Sequence, residues 1–215
     1  MRKLAALLFI FVCAVSHGQM EKIRQLETFD QKPIRYGFYL GLHNRGYAIK
    51  TNNAELSSGA GFHIGVLADV KLNKFISLLT EPGIISSTNT LTFDNKKTQI
   101  PATYFHFPLF FKFQTKRLNN VKGFFITGAS YNYNFTANKN NNDNGANPRD
   151  FSLRKNIILG EIGFGASFFF PFFKFSPSIR GVYGFQNEFN GLGTIAKSSV
   201  SELKTRGIFL NLTFQ

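Results

Sequence analysis

Six ionisable side chains stand in otherwise apolar stretches, on the polar side of an alternating pattern: Asp69, Glu81, Lys112, Glu161, Lys174 and Arg180. Three acids and three bases so placed have two chemistries open to them. Glu81 and Glu161 could share acid–base work if a substrate-sized cleft lay between them. The other outcome is mutual neutralisation, because a charge removed from water is costly unless it is paired and hydrogen-bonded. The pattern favours pairing, since ion-pair networks also bring perturbed acids together. Tyr39, His63 and His106 share the same faces and are expected as further hydrogen-bonding members. No two of the histidines (His17, His43, His63, His106) have metal-ligand spacing on a helix. Gly163-Phe164-Gly165 lies inside an alternating strand, where glycine relieves crowding, and is not a phosphate-cradling loop. The sequence therefore predicts no catalytic, cofactor or metal site.

The elements that must position those charges are β-strands. From Phe173 to Gln186 the odd positions are Phe, Phe, Pro, Ile, Gly, Tyr and Phe, while the even ones carry Lys174, Ser176, Ser178, Arg180, Val182, Gly184 and Gln186. Alternation of this kind puts one set on each face of a strand. Ile158–Phe170, Tyr104–Phe113, Gly61–Val70 and Tyr36–His43 behave alike, and Phe75–Ile85, Gly123–Phe135 and Leu203–Gln215 complete a predicted set of eight. Joins between them alternate in length. The long ones are Asn44–Ser58, Ser86–Ala102, Ala137–Leu153 and Asn187–Glu202; the short ones are Lys71–Lys74, Gln114–Lys122 and Pro171-Phe172. Within the first group, Lys139–Pro148 reads as a solvated loop tip.

The N-terminus decides the solvent. Arg2 and Lys3 precede an apolar run, Leu4–Val15, and Ser16-His17-Gly18 supplies a small-residue cleavage site before Gln19. That is the layout of a secretory signal over residues 1–18. The competing lipoprotein reading would use Cys13, but Val12 before it and Ala14-Val15 after it favour the ordinary signal. Beyond it no apolar run reaches the roughly 18 residues of a spanning helix. Phenylalanine, at 27 of 215 residues, exceeds what a soluble core of this size needs. A closed barrel is the remaining way to place such strands in lipid with every backbone group paired. Even strand number with alternating long external and short periplasmic joins is the pattern of outer-membrane barrels. The expectation is an all-β, eight-stranded antiparallel up-and-down transmembrane barrel over residues 36–215, its lumen filled by polar side chains. Residues 19–35 form a periplasmic segment, and both termini are periplasmic. Loss of Arg2 and Lys3 lowers the formal charge from +13 to +11. The basic residues scatter over turns, lumen and loops, which argues against nucleic acid; Lys96-Lys97 and Lys116-Arg117 are expected to meet lipid phosphates or solvent. The last strand places Gly207, Leu210, Leu212 and Phe214 in a pattern that resembles the signal read by the barrel-assembly machinery.

Several segments in strand order resemble the PorT family, outer-membrane proteins of the type IX secretion system of Bacteroidota. They are Leu26–Asp30, Asp69–Lys74, Glu81-Pro82-Gly83, Pro108–Phe113, Glu161–Gly165 and Phe172–Pro177. The resemblance covers nearly the whole chain after the signal. Two positions depart from it: His106 stands where that pattern has an acid, and Ala166-Ser167 where it has an aspartate, so lumen carboxylates are lost. The resemblance implies a part in moving proteins with C-terminal sorting domains across the outer membrane, in some members with gliding motility, and hence contact with other secretion components. A general structural or adhesive surface barrel and a small ligand-binding or enzymatic barrel are the other function classes.

Overall fold

The computed structural model describes residues 27–51, 55–57, 59–93, 96–136, 154–186, 188 and 200–215. The signal at 1–18, residues 19–26 and the Asn-rich stretch 139–148 lie outside the described residues. A 3-10 turn, Glu27–Gln31, precedes ten strands: β1 Ile34–Thr51, β2 Glu55–Ser57, β3 Gly59–Lys71, β4 Ile76–Thr80, β5 Gly83–Phe93, β6 Lys96–Gln114, β7 Val121–Asn134, β8 Asn156–Phe169, β9 Lys174–Gly184 and β10 Val200–Phe214. All pair antiparallel, and β1 bonds both β3 and β10, which closes the sheet on itself.

Ten segments make eight staves. β4 and β5 both lie between β3 and β6, and Ala68↔Thr80 and Gly65↔Gly83 keep one register across the gap at Glu81-Pro82. Pro82 has no N–H to donate, so the ladder is interrupted there while the alternation of side chains runs through. β2 likewise precedes β3 beside β5. The chain is thus a closed eight-stranded antiparallel barrel.

The strands differ from expectation at their ends. β1 starts at Ile34, and β5 and β6 stay paired out to Phe93↔Lys96. The stretches 44–58 and 86–102, expected as long loops, are therefore largely hairpin arms. Ser86–Phe93 is rich in Ser and Thr, which suits a strand but carries no apolar row to reveal one. At the opposite end the joins are tight. Asn119 adopts a left-handed conformation (φ 52°) in the Leu118–Val121 hairpin, and the Asn73 side chain accepts from the backbone N–H of Phe75 and Ile76 at 2.7 and 2.8 Å. Gln215 and Lys174 exchange backbone hydrogen bonds here too. We refer to this as the terminal end and to the other as the long-loop end.

The outer wall is apolar. Phe38, Leu40, Leu42, Phe62, Ile64, Val66, Phe105, Phe107, Leu109, Phe111, Ile162, Phe164, Ile179, Ile208 and Leu210 all face outward and are exposed. Such a continuous surface far exceeds what water-soluble monomers present. Aromatic pairs ring it at both ends: Tyr133–Phe135 and Tyr183–Phe185 at one, Phe170–Phe173, Phe175–Phe214 and Phe38–Phe214 at the other. Rings of that kind mark the membrane–water interfaces.

Candidate functional site

An eight-stranded barrel is only wide enough for side chains to fill it, and the inward rows do so in layers. At the terminal end, Asp69 accepts from Arg35 at 2.8 Å and from Lys112 at 3.4 Å. The Lys112 ammonium also lies 4.4 Å over the Phe124 ring. Next along the axis comes an apolar cluster of Leu67, Leu79, Phe110, Phe124 and Ile126. A polar belt follows, then a second apolar cluster of Ile85, Ala102, Tyr104, Ile157, Leu159, Val182 and Phe209. Near the long-loop end Arg45 stands 3.8 Å from Glu188 and donates to Thr205 at 3.1 Å. Glu188 follows the end of β9; burial pushes its carboxyl upward against the pull of the Arg45 guanidinium.

The belt forms one continuous chain of contacts. His43 and His63 face each other at 3.3 Å through their Nδ1 atoms, and His63 Nε2 meets Asn211 Oδ1 at 2.8 Å. Asn211 Nδ2 donates to Glu81 at 3.3 Å, and Arg180 donates to the same carboxylate oxygen at 2.6 Å. Arg180 also reaches Glu161 at 3.6 Å, Glu161 lies 3.4 Å from His106, and His106 meets Asn132 at 2.9 Å. Tyr39 donates to the Glu81 backbone carbonyl at 2.9 Å, which fastens the interrupted stave to β1. Arg180 occupies the space between the two glutamates where a substrate would have to enter, so the geometry gives acid–base chemistry no cleft.

Large side chains lie over glycines on neighbouring strands. A Cβ at Gly163 would come within 2.5 Å of Arg180 Cγ, one at Gly165 within 2.6 Å of Phe124 Cζ, and one at Gly65 within 2.7 Å of Tyr39. These approaches are what let Arg180, Phe124 and Tyr39 cross so narrow a lumen. An interior void bounded by Leu67, Glu81, Lys112, Phe124 and Ser178 amounts to about 10 Å3, room for one water molecule at most.

Residues 19–190, well over half of the chain, match the family described as outer membrane protein beta-barrel domain. The chain belongs to that family. Among solved structures, this outer-membrane barrel is similar to Neisserial surface protein A (NspA), with TM-score 0.50 and 10% identity over 85% of this chain and 98% of that one. It is also matched to OprG from Pseudomonas aeruginosa (TM-score 0.46, 12% identity, 84% of this chain and 91% of that one). A third match is Ail of Yersinia pestis (TM-score 0.42, 10% identity, 85% and 98%). At 10% identity the likeness to NspA concerns the fold alone. No curated protein sequence is matched.

The barrel places the six sequence-chosen charges inside, all at most 4% exposed, but not in one network. Glu81, Glu161 and Arg180 meet in the belt; Asp69 and Lys112 meet at the terminal end; Lys174 donates to Gln215 at 2.8 Å and lies 5.4 Å over the Phe29 ring. The lumen is not filled by polar side chains alone, since the two apolar clusters separate the charged layers. Sequence reasoning missed Arg35 and Arg45, which it left outside the strands, although both continue the inward row of Tyr39 and His43. It also missed His43 and Asn211 as contacts of His63. Arg117, expected to meet lipid or solvent, instead folds over Phe169 at 3.9 Å and lies 3.8 Å from Asp30. Ser167, at one of the two departures from the PorT pattern, bonds Ser176 at 2.8 Å. In β10, Leu210 faces outward, Gly207 lies opposite Arg45 of β1, and Phe214 stacks on Phe38 at 5.2 Å.

Proposed function

We propose that this outer-membrane barrel serves as an accessory or assembly component of type IX protein secretion, as its resemblance to PorT implies, and that it does not itself pass cargo. The filled lumen carries this reading: a belt of ion pairs between two apolar clusters leaves no path for a polypeptide. Its contribution must then be made by surfaces, namely the long-loop end, the lipid-facing wall and the terminal-end mouth. Short turns belong to the periplasmic side of such barrels, so in this reading both termini are periplasmic and the long loops external. In this reading β10, with Leu210, Leu212 and Phe214 in its apolar row and Gly207 opposite, is the strand offered to the barrel-assembly machinery.

Purified barrel in planar bilayers is expected to give no steady conductance; a stable open pore would rule out the plugged lumen. Deletion of the gene is expected to leave proteins with C-terminal sorting domains unsecreted. Normal secretion in the deletion strain would remove the secretion assignment and leave a structural or adhesive surface barrel.

A further inference from the structure

Among the described residues, the terminal-end mouth gathers more positive charge than its carboxylates neutralise. A surface basin of about 600 Å3 opens there beside the 3-10 turn, and its walls gather six cations, Arg35, Lys71, Lys74, Lys116, Arg117 and Lys122, around one carboxylate, Asp30. These residues come from β1, β3, two turns and β7, so folding makes the cluster and no local run of charge does.

Asp30 demonstrates what the basin accepts. Its carboxylate lies 2.9 Å from Lys122, 3.8 Å from Arg117 and 3.9 Å from Arg35, while Lys71 donates to its backbone carbonyl at 2.7 Å. Arg35 is also held by Asp69, at 2.8 Å, and these two carboxylates do not satisfy six cations. Lys74 and Lys116 are exposed, and neither forms an ion pair among the described residues. Arg35, whose side chain is 3% exposed, keeps an Nε with no hydrogen-bond partner among the described residues. The basin thus has both a fixed floor of cations already holding a carboxylate and a free rim.

We propose that this basin docks an Asp- and Glu-rich segment of a periplasmic protein, with Asp30 competing for the same cations. This rests on the reading that the terminal end faces the periplasm. Guanidinium forks and ammonium groups together suit a run of carboxylates. A lipid phosphate shares that charge, but Arg35 and Lys122 belong to inward rows, away from the headgroups around the wall.

The test uses the full barrel in neutral detergent micelles and a fluorescent oligoglutamate peptide read by anisotropy. Binding that weakens with salt is expected. Lys74→Gln with Lys116→Gln should weaken it roughly threefold to tenfold, the scale of two exposed ion pairs. Asp30→Asn should tighten it, whereas Asp150→Asn, which removes the same charge from the stretch between β7 and β8, should leave it unchanged. The proposal is overturned if the lysine pair has no effect, if the two aspartate variants act alike, or if the peptide competes no better than inorganic phosphate. Displacement of the peptide by anionic lipid in nanodiscs would make this a headgroup site and overturn it as well. Orientation is read separately: an impermeant thiol reagent that labels Lys116→Cys on intact cells removes the periplasmic placement without touching the binding result.

Discussion

Replacing Arg180 with methionine is expected to destabilise the folded barrel by about 3–5 kcal/mol, the cost of breaking a buried ion pair by removing one partner. Adding Glu81→Gln and Glu161→Gln should recover most of that loss. The guanidinium lies 2.6 Å from one carboxylate and 3.6 Å from the other, with all three side chains at most 5% exposed. Without it, two carboxylates remain between apolar layers, where an isolated charge is far more costly than in water. Neutral amides of the same shape leave no charge stranded, and the Asn211 side chain can still donate to the residue at position 81. An exposed pair would lose under about 1 kcal/mol, so the size of the effect separates a buried belt from a peripheral contact. Equilibrium urea unfolding in phospholipid vesicles, followed by the heat-dependent shift in gel migration, gives the number. A single-variant loss below about 1 kcal/mol, or a triple variant no better than the single, would falsify the coupled belt.

How much of this was legible in the sequence follows from what a period of two can report. It separates faces, so the inward positions of Asp69, Glu81, Lys112, Glu161, Lys174 and Arg180 follow from their strands alone. It does not report register between strands far apart in sequence. That Arg180 meets both glutamates while Lys174 turns to Gln215 depends on how β9 and β10 are staggered and on barrel closure, and neither is written in any one segment. A strand's end is legible only where its apolar row stops. That rule lost Arg35 and Arg45, whose row continues past the lipid-facing stretch, and it lost Ser86–Phe93, which pairs with β6 without an apolar face. Asp30 and Glu188 carry no periodic signal, because each enters the barrel mouth from outside the strands. The apolar clusters were hidden differently: Leu67, Phe110 and Phe124 stand on the inward rows, but an interior read as polar gave them no role there.

The layering has a consequence for charge. Cations outnumber acids around the terminal-end mouth, whereas the belt sets Arg180 between two carboxylates. Among the described residues the mouth is therefore where positive charge is in excess, and the belt is where opposite charges are paired inside the lumen.

An arginine at Ile162 is expected to destabilise the barrel by about 2–4 kcal/mol, and an arginine at Phe170 by only about 0–1 kcal/mol, following the depth dependence of lipid-facing charges. Both side chains point outward and are 56% and 42% exposed. Ile162 lies midway along β8, Asn156–Phe169, and Phe170 lies one residue beyond it. In water the two substitutions would be alike, each within about 0.5 kcal/mol of neutral, as for most surface changes. Only a solvent that changes along the barrel axis distinguishes them, because an arginine at mid-height must drag water or headgroups toward it while one at the rim already meets them. Urea titration of both variants in the same vesicles compares them directly. Equal costs at the two positions, or none at Ile162, would mean that this row of isoleucine and phenylalanine is not surrounded by acyl chains.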